Sequence, residues 1–149
     1  MRSPTIKLLM PLVLFAALIA ATLTLLSPTQ FVLAATCSGS GCNNTNPNST
    51  GCDVGATTVS SIYPASSRVD LRSSSTCATK WAKTTNTDSL NRSFYANATL
   101  KNYYYTHSPA PIAKNLSVYS NQRYNITGQA CGYVGPSLIN FAVSSPCTP

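Results

Sequence analysis

The chain has 149 residues and a net charge of +7, from ten basic residues against three aspartates. One histidine and three carboxylates are a very small supply for general acid and base catalysis. No GxSxG nucleophile motif is present, so His107 has no recognisable triad around it. We therefore predict that the protein is not an enzyme, and we assign no catalytic residue and no cofactor.

The first 35 residues have the organisation of a secretory signal peptide. Arg2 and Lys7 precede an uncharged, apolar run at residues 8–26, and a polar break follows at residues 27–30. Small residues at Ala34 and Ala35 then predict cleavage after one of them. The alternative is a membrane anchor left uncleaved, since the apolar run is nearly long enough to span a bilayer. We expect a secreted, extracellular protein that meets a membrane only through this signal.

Six cysteines follow the predicted cleavage site, and an even number in an exported chain predicts three disulfides. They are Cys37, Cys42, Cys52, Cys77, Cys131 and Cys147. Six cysteines allow fifteen pairings, and we favour Cys131 with Cys147 and the first four among themselves. Zinc would need close ligand pairs, often with histidine, whereas Cys37 and Cys42 form the only close pair and His107 stands alone. We therefore predict no metal site.

The first part of the exported domain, residues 36–55, is rich in Gly, Asn, Ser and Pro and has no apolar face. These residue types favour turns, so we predict an irregular loop held by disulfides. Val69 and Leu71 then alternate with polar neighbours, which indicates a half-buried strand. Residues 77–84 fit either a strand, with Cys77, Thr79 and Trp81 on one face, or a short helical turn.

Residues 94–101 show the clearest alternation of apolar and polar side chains, which predicts a strand with one dry and one wet face. Further short strands are predicted at 116–119, 123–126 and 138–143. The absence of glutamate and the abundance of Thr, Ser and Tyr disfavour helices. The predicted fold is mainly β: a small disulfide-stapled β-sandwich or barrel with an irregular Cys-rich N-terminal loop.

A series of residues within 36–85 stands in an order that resembles the bacterial family called domain of unknown function 2690, common in actinomycetes. The residues are Cys37, Gly41, Cys42, Pro47, Gly51, Cys52, Asp53, Ala56, Thr57, Leu71, Arg72, Ser74, Cys77, Ala78, Trp81, Ala82 and Lys83. The chain departs from the family pattern at Asn46, Ser73 and Lys83. The resemblance implies no activity. Residues 86–149 match nothing familiar, and we interpret them as a β-rich extension of the single domain 36–149.

Lys101, Tyr103 and Tyr105 lie close together and could form an aromatic and basic strip that faces a ligand such as a sugar ring.

The exported domain carries eight basic residues, scattered singly, so anionic cell-wall or other envelope polymers are the expected partners. Export argues against nucleic acid, and the sequence does not indicate an oligomeric state. We expect a secreted binding or structural module at the bacterial cell envelope, or alternatively a small cationic effector that acts as a toxin or enzyme inhibitor.

Overall fold

The computed structural model describes residues 34–103, 105–107, 110–137 and 145–149, with the backbone alone over 105–107. Most of the predicted signal peptide and the strand predicted at 138–143 lie outside these ranges. Within them, no helix has the length and apolar character needed to cross a membrane.

The described residues form eight β-strands and one short 3-10 helix, Gly39–Cys42, so the prediction of a mainly β fold is confirmed. The strands are β1 (Thr57–Ile62), β2 (Ser67–Ser74), β3 (Thr79–Asn86), β4 (Tyr95–Leu100), β5 (Tyr105–His107), β6 (Ser117–Tyr119), β7 (Arg123–Tyr124) and β8 (Ala130–Gly135). All strand pairs are antiparallel.

The first sheet has the order β1-β2-β3-β6, and β7 also pairs with β3. Because β2 pairs with the whole of β3, the short strands β6 and β7 share the opposite edge of β3. β6 lies beside Lys83, Thr84 and Thr85, and β7 lies beside Thr79 and Lys80. The central strand β3 therefore has neighbours on both edges.

The second sheet has the order β5-β4-β8, and the end of the chain runs along the free edge of β8. The Gly132 amide donates to the Pro146 carbonyl, and the Thr148 amide donates to the Ala130 carbonyl. A disulfide joins Cys131 to Cys147 across the same pair.

The two sheets pack face to face, because the apolar core between them draws residues from both. We call this set the inter-sheet core; its buried members are Val69, Leu71, Ala82, Ala98, Leu100 and Ala130. Side chains alternate between the two faces of a strand, so Trp81 lies on the other face of β3 from Ala82. The Cys-rich loop covers that other face. The buried residues between the loop and β3 form a second set, Cys42, Cys52, Cys77 and Trp81, which we call the loop core.

The predicted strand at 94–101 is observed as β4, and its expected dry positions Ala96, Ala98 and Leu100 are buried. The expected wet position Asn97 is also buried, which corrects the two-faced interpretation. Its Oδ1 accepts from the Tyr133 amide at 2.7 Å, and its Nδ2 donates to Ser145 Oγ at 3.1 Å. The polar side chain is tolerated inside because both ends of its amide are hydrogen-bonded.

Residues 77–84 adopt the strand alternative, although β3 begins at Thr79 and Cys77 lies in the preceding turn. The alternation at 69–72 belongs to β2, and the segments at 116–119 and 123–126 contain β6 and the two-residue β7. Three strands, β1, β5 and β8, were not anticipated from the sequence. β1 has no fully buried residue, so it lacks the apolar alternation by which strands are recognised.

Gly132 in β8 lies against Thr84 of the first sheet. A Cβ atom built at this position would be well inside van der Waals contact with Thr84 Oγ1 and 2.9 Å from the Asn97 carbonyl oxygen. Both distances are too short for any side chain, so glycine is required here by space. Because glycine is typical of turns, the two glycines of β8 also explain why its sequence does not predict a strand.

We expect Gly132→Ala to lower the free energy of unfolding by about 1–3 kcal/mol, because the added methyl group overpacks the contact with Thr84. Urea unfolding followed by the fluorescence of Trp81, the single tryptophan, measures this change. Gly41→Ala is the matched control, since a Cβ at Gly41 meets nothing within 4 Å. Thr84→Ala should recover part of the loss in the double variant, and equal effects of both glycine substitutions would contradict the interpretation.

At the far end of β3, a buried carboxylate organises the connection to β4. Asp88 is 1% exposed, and its Oδ2 accepts from the backbone amides of Leu90 and Arg92 at 3.0 Å each. Its Oδ1 accepts from the Arg92 guanidinium at 2.8 Å. The hydrogen bond from the Arg92 side chain, together with those from the backbone, holds the pKa of Asp88 well below its usual range.

A carboxylate whose pKa is lowered in the folded state stabilises the fold above its unfolded pKa of about 3.9, and that contribution is lost as the pH falls further. We therefore expect Asp88→Asn to be less stable than the wild type at pH 7, with a deficit that shrinks as the pH is lowered from about 5 to 2. Asp53→Asn removes the same charge from a carboxylate that has no hydrogen bond to a described residue, and it is the control for the change in net charge. A deficit that is constant over this range would show that the charge of Asp88 is not the cause.

Candidate functional site

The Cys-rich loop is fixed to the first sheet by two disulfides, Cys37–Cys42 and Cys52–Cys77. The first closes a short ring around the 3-10 helix, and the second ties the loop to the turn between β2 and β3. With Cys131–Cys147 they make three disulfides, in the pairing favoured from the sequence. Cys42, Cys52 and Cys77 are fully buried against Trp81.

Gln122 is the polar clamp between the loop and the sheet. It is fully buried, and its Oε1 accepts from Thr79 Oγ1 at 2.7 Å. Its Nε2 donates to Thr45 Oγ1 and Thr50 Oγ1 at 2.9 Å each. The backbone amide of Gln122 also donates to the Thr45 carbonyl at 2.9 Å. One side chain therefore joins β3 to two separate points of the loop.

A groove opens beside this loop, at the end of the first sheet. Its volume is about 340 Å³, and it is lined by Ser73, Ser74, Ser75, Ala78, Thr79, Lys80, Asn125 and Ile126. The lining residues come from the end of β2, the turn that follows, the start of β3 and the segment after β7. The volume is at the lower end of the range of small-molecule sites, which is roughly 300–1,000 Å³.

The strand register places a second basic residue, Arg123, beside the lining residue Lys80. Ser73 pairs with Lys80, and Lys80 pairs with Arg123, so the three form one row across the sheet. Directly paired residues share a face. This row is on the face that carries Leu71 and Ala82, but it lies beyond the end of the inter-sheet core. The core therefore ends in a polar, positively charged opening.

The groove holds cationic and hydroxyl groups that have no partner among the described residues. Lys80 is half-buried, and no described carboxylate pairs with it. Ser73 and the exposed Ser75 have hydroxyls with no hydrogen bond to a described residue. Two of the three aspartates form ion pairs with other residues, Asp70 with Arg68 at 2.8 Å and Asp88 with Arg92. An anionic or hydroxyl-bearing ligand would find both a charge and hydrogen-bonding groups here.

The proposed strip of Lys101, Tyr103 and Tyr105 is only partly assembled by the described residues. Tyr103 is 40% exposed, and its ring centroid is 5.0 Å from Cζ of Arg123, so it lies beside the basic row of the groove. Lys101 is exposed and donates to Gln129 Oε1 at 2.8 Å. The backbone of Tyr105 pairs with Thr99, and its side chain lies outside the described part of the chain.

The lining residues of the groove were not identified from the sequence. They are separated by some fifty positions along the chain and meet through the pairing of β3 with β7. β7 has only two residues, which is too short for a recognisable alternation of apolar and polar side chains. The sequence feature that could have indicated this site is the run Ser73–Ser75 shortly before Lys80.

We expect Gln122→Leu to lower the free energy of unfolding by about 2–4 kcal/mol, because the hydroxyls of Thr45, Thr50 and Thr79 would lose a buried partner. Gln129→Leu is the control, since the only side-chain partner of Gln129 among the described residues is the exposed Lys101, and a change within about 0.5 kcal/mol is expected there. Urea unfolding followed by Trp81 fluorescence compares the two variants. Equal stabilities of the two variants would contradict the clamp.

Comparison with known proteins gives a family without an assigned activity. The family described as "Protein of unknown function (DUF2690)" matches residues 40–130, which include the three cysteines of the loop core, Trp81 and every residue that lines the groove. The match continues past residue 85, where the resemblance in the sequence ended, and reaches the start of β8. No curated protein and no solved structure matches the chain. Since the family covers more than half of the 149 residues, the chain belongs to the DUF2690 family, as its residue pattern indicated.

Proposed function

We propose that this protein is a secreted, non-catalytic binding module of the cell envelope, and that the Lys80 groove recognises an anionic, hydroxyl-rich polymer. The observation that carries the proposal is the half-buried residue Lys80 in the wall of the groove, whose ammonium group pairs with no carboxylate among the described residues. A cation in a groove is screened less by salt than one on an open surface, so it can select for an anion.

The other lining groups support a polymer built from sugars. Ser73, Ser75 and Asn125 offer donors and acceptors at the groove, as ligand hydroxyls require. Tyr103 beside Arg123 offers an aromatic ring at the margin, where a sugar ring could stack. The eight lining residues include no histidine and no carboxylate, which favours binding over acid and base chemistry at this groove.

The charge and the disulfides of the exported domain favour a partner in the cell envelope. Its eight basic residues against three aspartates favour negatively charged surfaces, and wall glycopolymers carry phosphate or carboxylate groups at high density. Three disulfides are typical of proteins that function in an oxidising compartment. Both features fit a protein that is retained on the outer surface of a cell.

The test is sedimentation of the full chain with isolated bacterial cell wall, before and after the wall has been stripped of its phosphate polymers. We expect retention on intact wall, reduced retention on stripped wall, and about tenfold weaker binding for Lys80→Gln. Raising the salt concentration should weaken binding in every case.

Lys114→Gln is the matched control, because it changes the net charge equally. Lys114 precedes Asn115, whose amide bonds to the carbonyl of Asn86 at the opposite end of β3 from Lys80. This control should bind within about twofold of the wild type. An equal loss of wall affinity in both lysine variants would contradict the proposal, because it would show that binding depends on net charge and not on the groove. Failure to bind any wall, combined with inhibition of growth or of a protease, would favour the cationic effector instead.

A further inference from the structure

The loop core brings four sulfur atoms into one cluster. The Sγ atoms of Cys37, Cys42, Cys52 and Cys77 all lie within 4.8 Å of one another. Between the two disulfides, Cys52 Sγ is 3.8 Å from Cys37 Sγ and 3.9 Å from Cys42 Sγ. The two bridges are therefore in direct contact, and they form a single group of sulfurs rather than two separate crosslinks.

These separations match the geometry of a tetrahedral metal site. Four thiolates bind zinc at about 2.3 Å each, which places the sulfurs about 3.8 Å apart along the edges of the tetrahedron. Two of the four distances between the disulfides already have this length, and the other two are within 4.8 Å. After reduction the two bonded pairs would open, and three of the four residues are held by burial while they do so.

The surroundings supply hydrogen-bond donors for thiolate ligands. Gln122 Nε2, whose two N–H groups bond to Thr45 and Thr50, is also 3.8 Å from Cys37 Sγ and can share a hydrogen with it. Trp81 is fully buried in the same cluster, and its indole N–H has no acceptor among the described residues. Thiolates accept hydrogen bonds, and donors around a metal site stabilise its ligands. The buried indole N–H is a second feature of this cluster, because it does not bond to the disulfide sulfurs and would gain an acceptor from a thiolate that moved into its reach.

We propose that the reduced form of this loop is a four-cysteine zinc site. Two molecules of a dithiol reduce the two disulfides, and each dithiol leaves as a cyclic disulfide. The four thiols formed on Cys37, Cys42, Cys52 and Cys77 then bind one Zn²⁺ and release four protons, which gives a site with a net charge of −2. The same four residues would hold the loop against Trp81 in either redox state, by covalent bonds or by the metal.

This site does not have the spacing by which zinc motifs are recognised. Cys52 and Cys77 are 25 residues apart, and they meet because one lies in the loop and the other in the β2–β3 turn. The Gly39 amide donates to the Cys77 carbonyl at 2.8 Å and places the 3-10 helix against that turn. The ligand set is thus created by the fold.

The experiment uses the full chain with Cys131→Ser and Cys147→Ser, so that only the four clustered cysteines remain. The protein is reduced with a dithiol, freed of it by gel filtration under nitrogen, and titrated with Zn²⁺ and separately with Co²⁺ as a spectroscopic probe. We expect one metal ion per chain, thiolate-to-cobalt charge-transfer absorption, and recovery of the buried emission of Trp81 when zinc is added. A further Cys52→Ser variant should bind zinc roughly a hundredfold more weakly or not at all.

The Trp81 emission distinguishes a folded site from metal captured by an unfolded chain. Zinc bound without recovery of this emission would overturn the proposal, as would equal affinities of the four-cysteine and three-cysteine variants. Failure of the reduced four-cysteine protein to bind either metal would also overturn it. None of these outcomes depends on wall binding, which is measured on the oxidised protein.

Discussion

Burial of β3 on both faces is the constraint on which the rest of this structure depends. Ala82 faces the second sheet, whereas Trp81 faces the Cys-rich loop. Both faces of such a strand must be shielded from water by packed residues. The loop has too few apolar residues to remain packed on one face by hydrophobic burial alone. The covalent tie between Cys52 and Cys77, closing 25 residues, contributes about 3–4 kcal/mol by the chain-entropy argument and holds the loop in place.

The sequence was sufficient for the fold class and for the elements whose apolar residues alternate. β2 and β4 were found because Val69, Leu71, Ala98 and Leu100 face one core. Elements that are shaped by their neighbours were missed. β8 contains glycine at 132 because Thr84 of the opposite sheet leaves no room for a side chain, and no local pattern records that contact. The groove was missed for a related reason, since Lys80 and Arg123 meet only through strand pairing.

The distribution of carboxylates links the fold to the proposed function. Two of the three aspartates are buried and neutralise Arg68 and Arg92, away from the groove. The described part of the chain therefore leaves Lys80 uncompensated, and the row from Ser73 to Arg123 carries positive charge at the mouth of the inter-sheet core. In both ion pairs the carboxylate is buried and the arginine is partly exposed, so each arginine compensates a buried charge, and the remaining basic groups stay available to a ligand.

The pairing of residues 145–149 with β8 has a consequence for how these molecules behave at high concentration. Unpaired strand edges can add strands from other molecules, and this is a common route to aggregation. Here the backbone of β8 already forms hydrogen bonds with Pro146 and Thr148. As long as the Cys131–Cys147 disulfide is intact, it keeps the segment 145–149 from separating from β8. The last disulfide thereby shields one border of the second sheet from intermolecular β-addition, a protective role separate from its effect on unfolding.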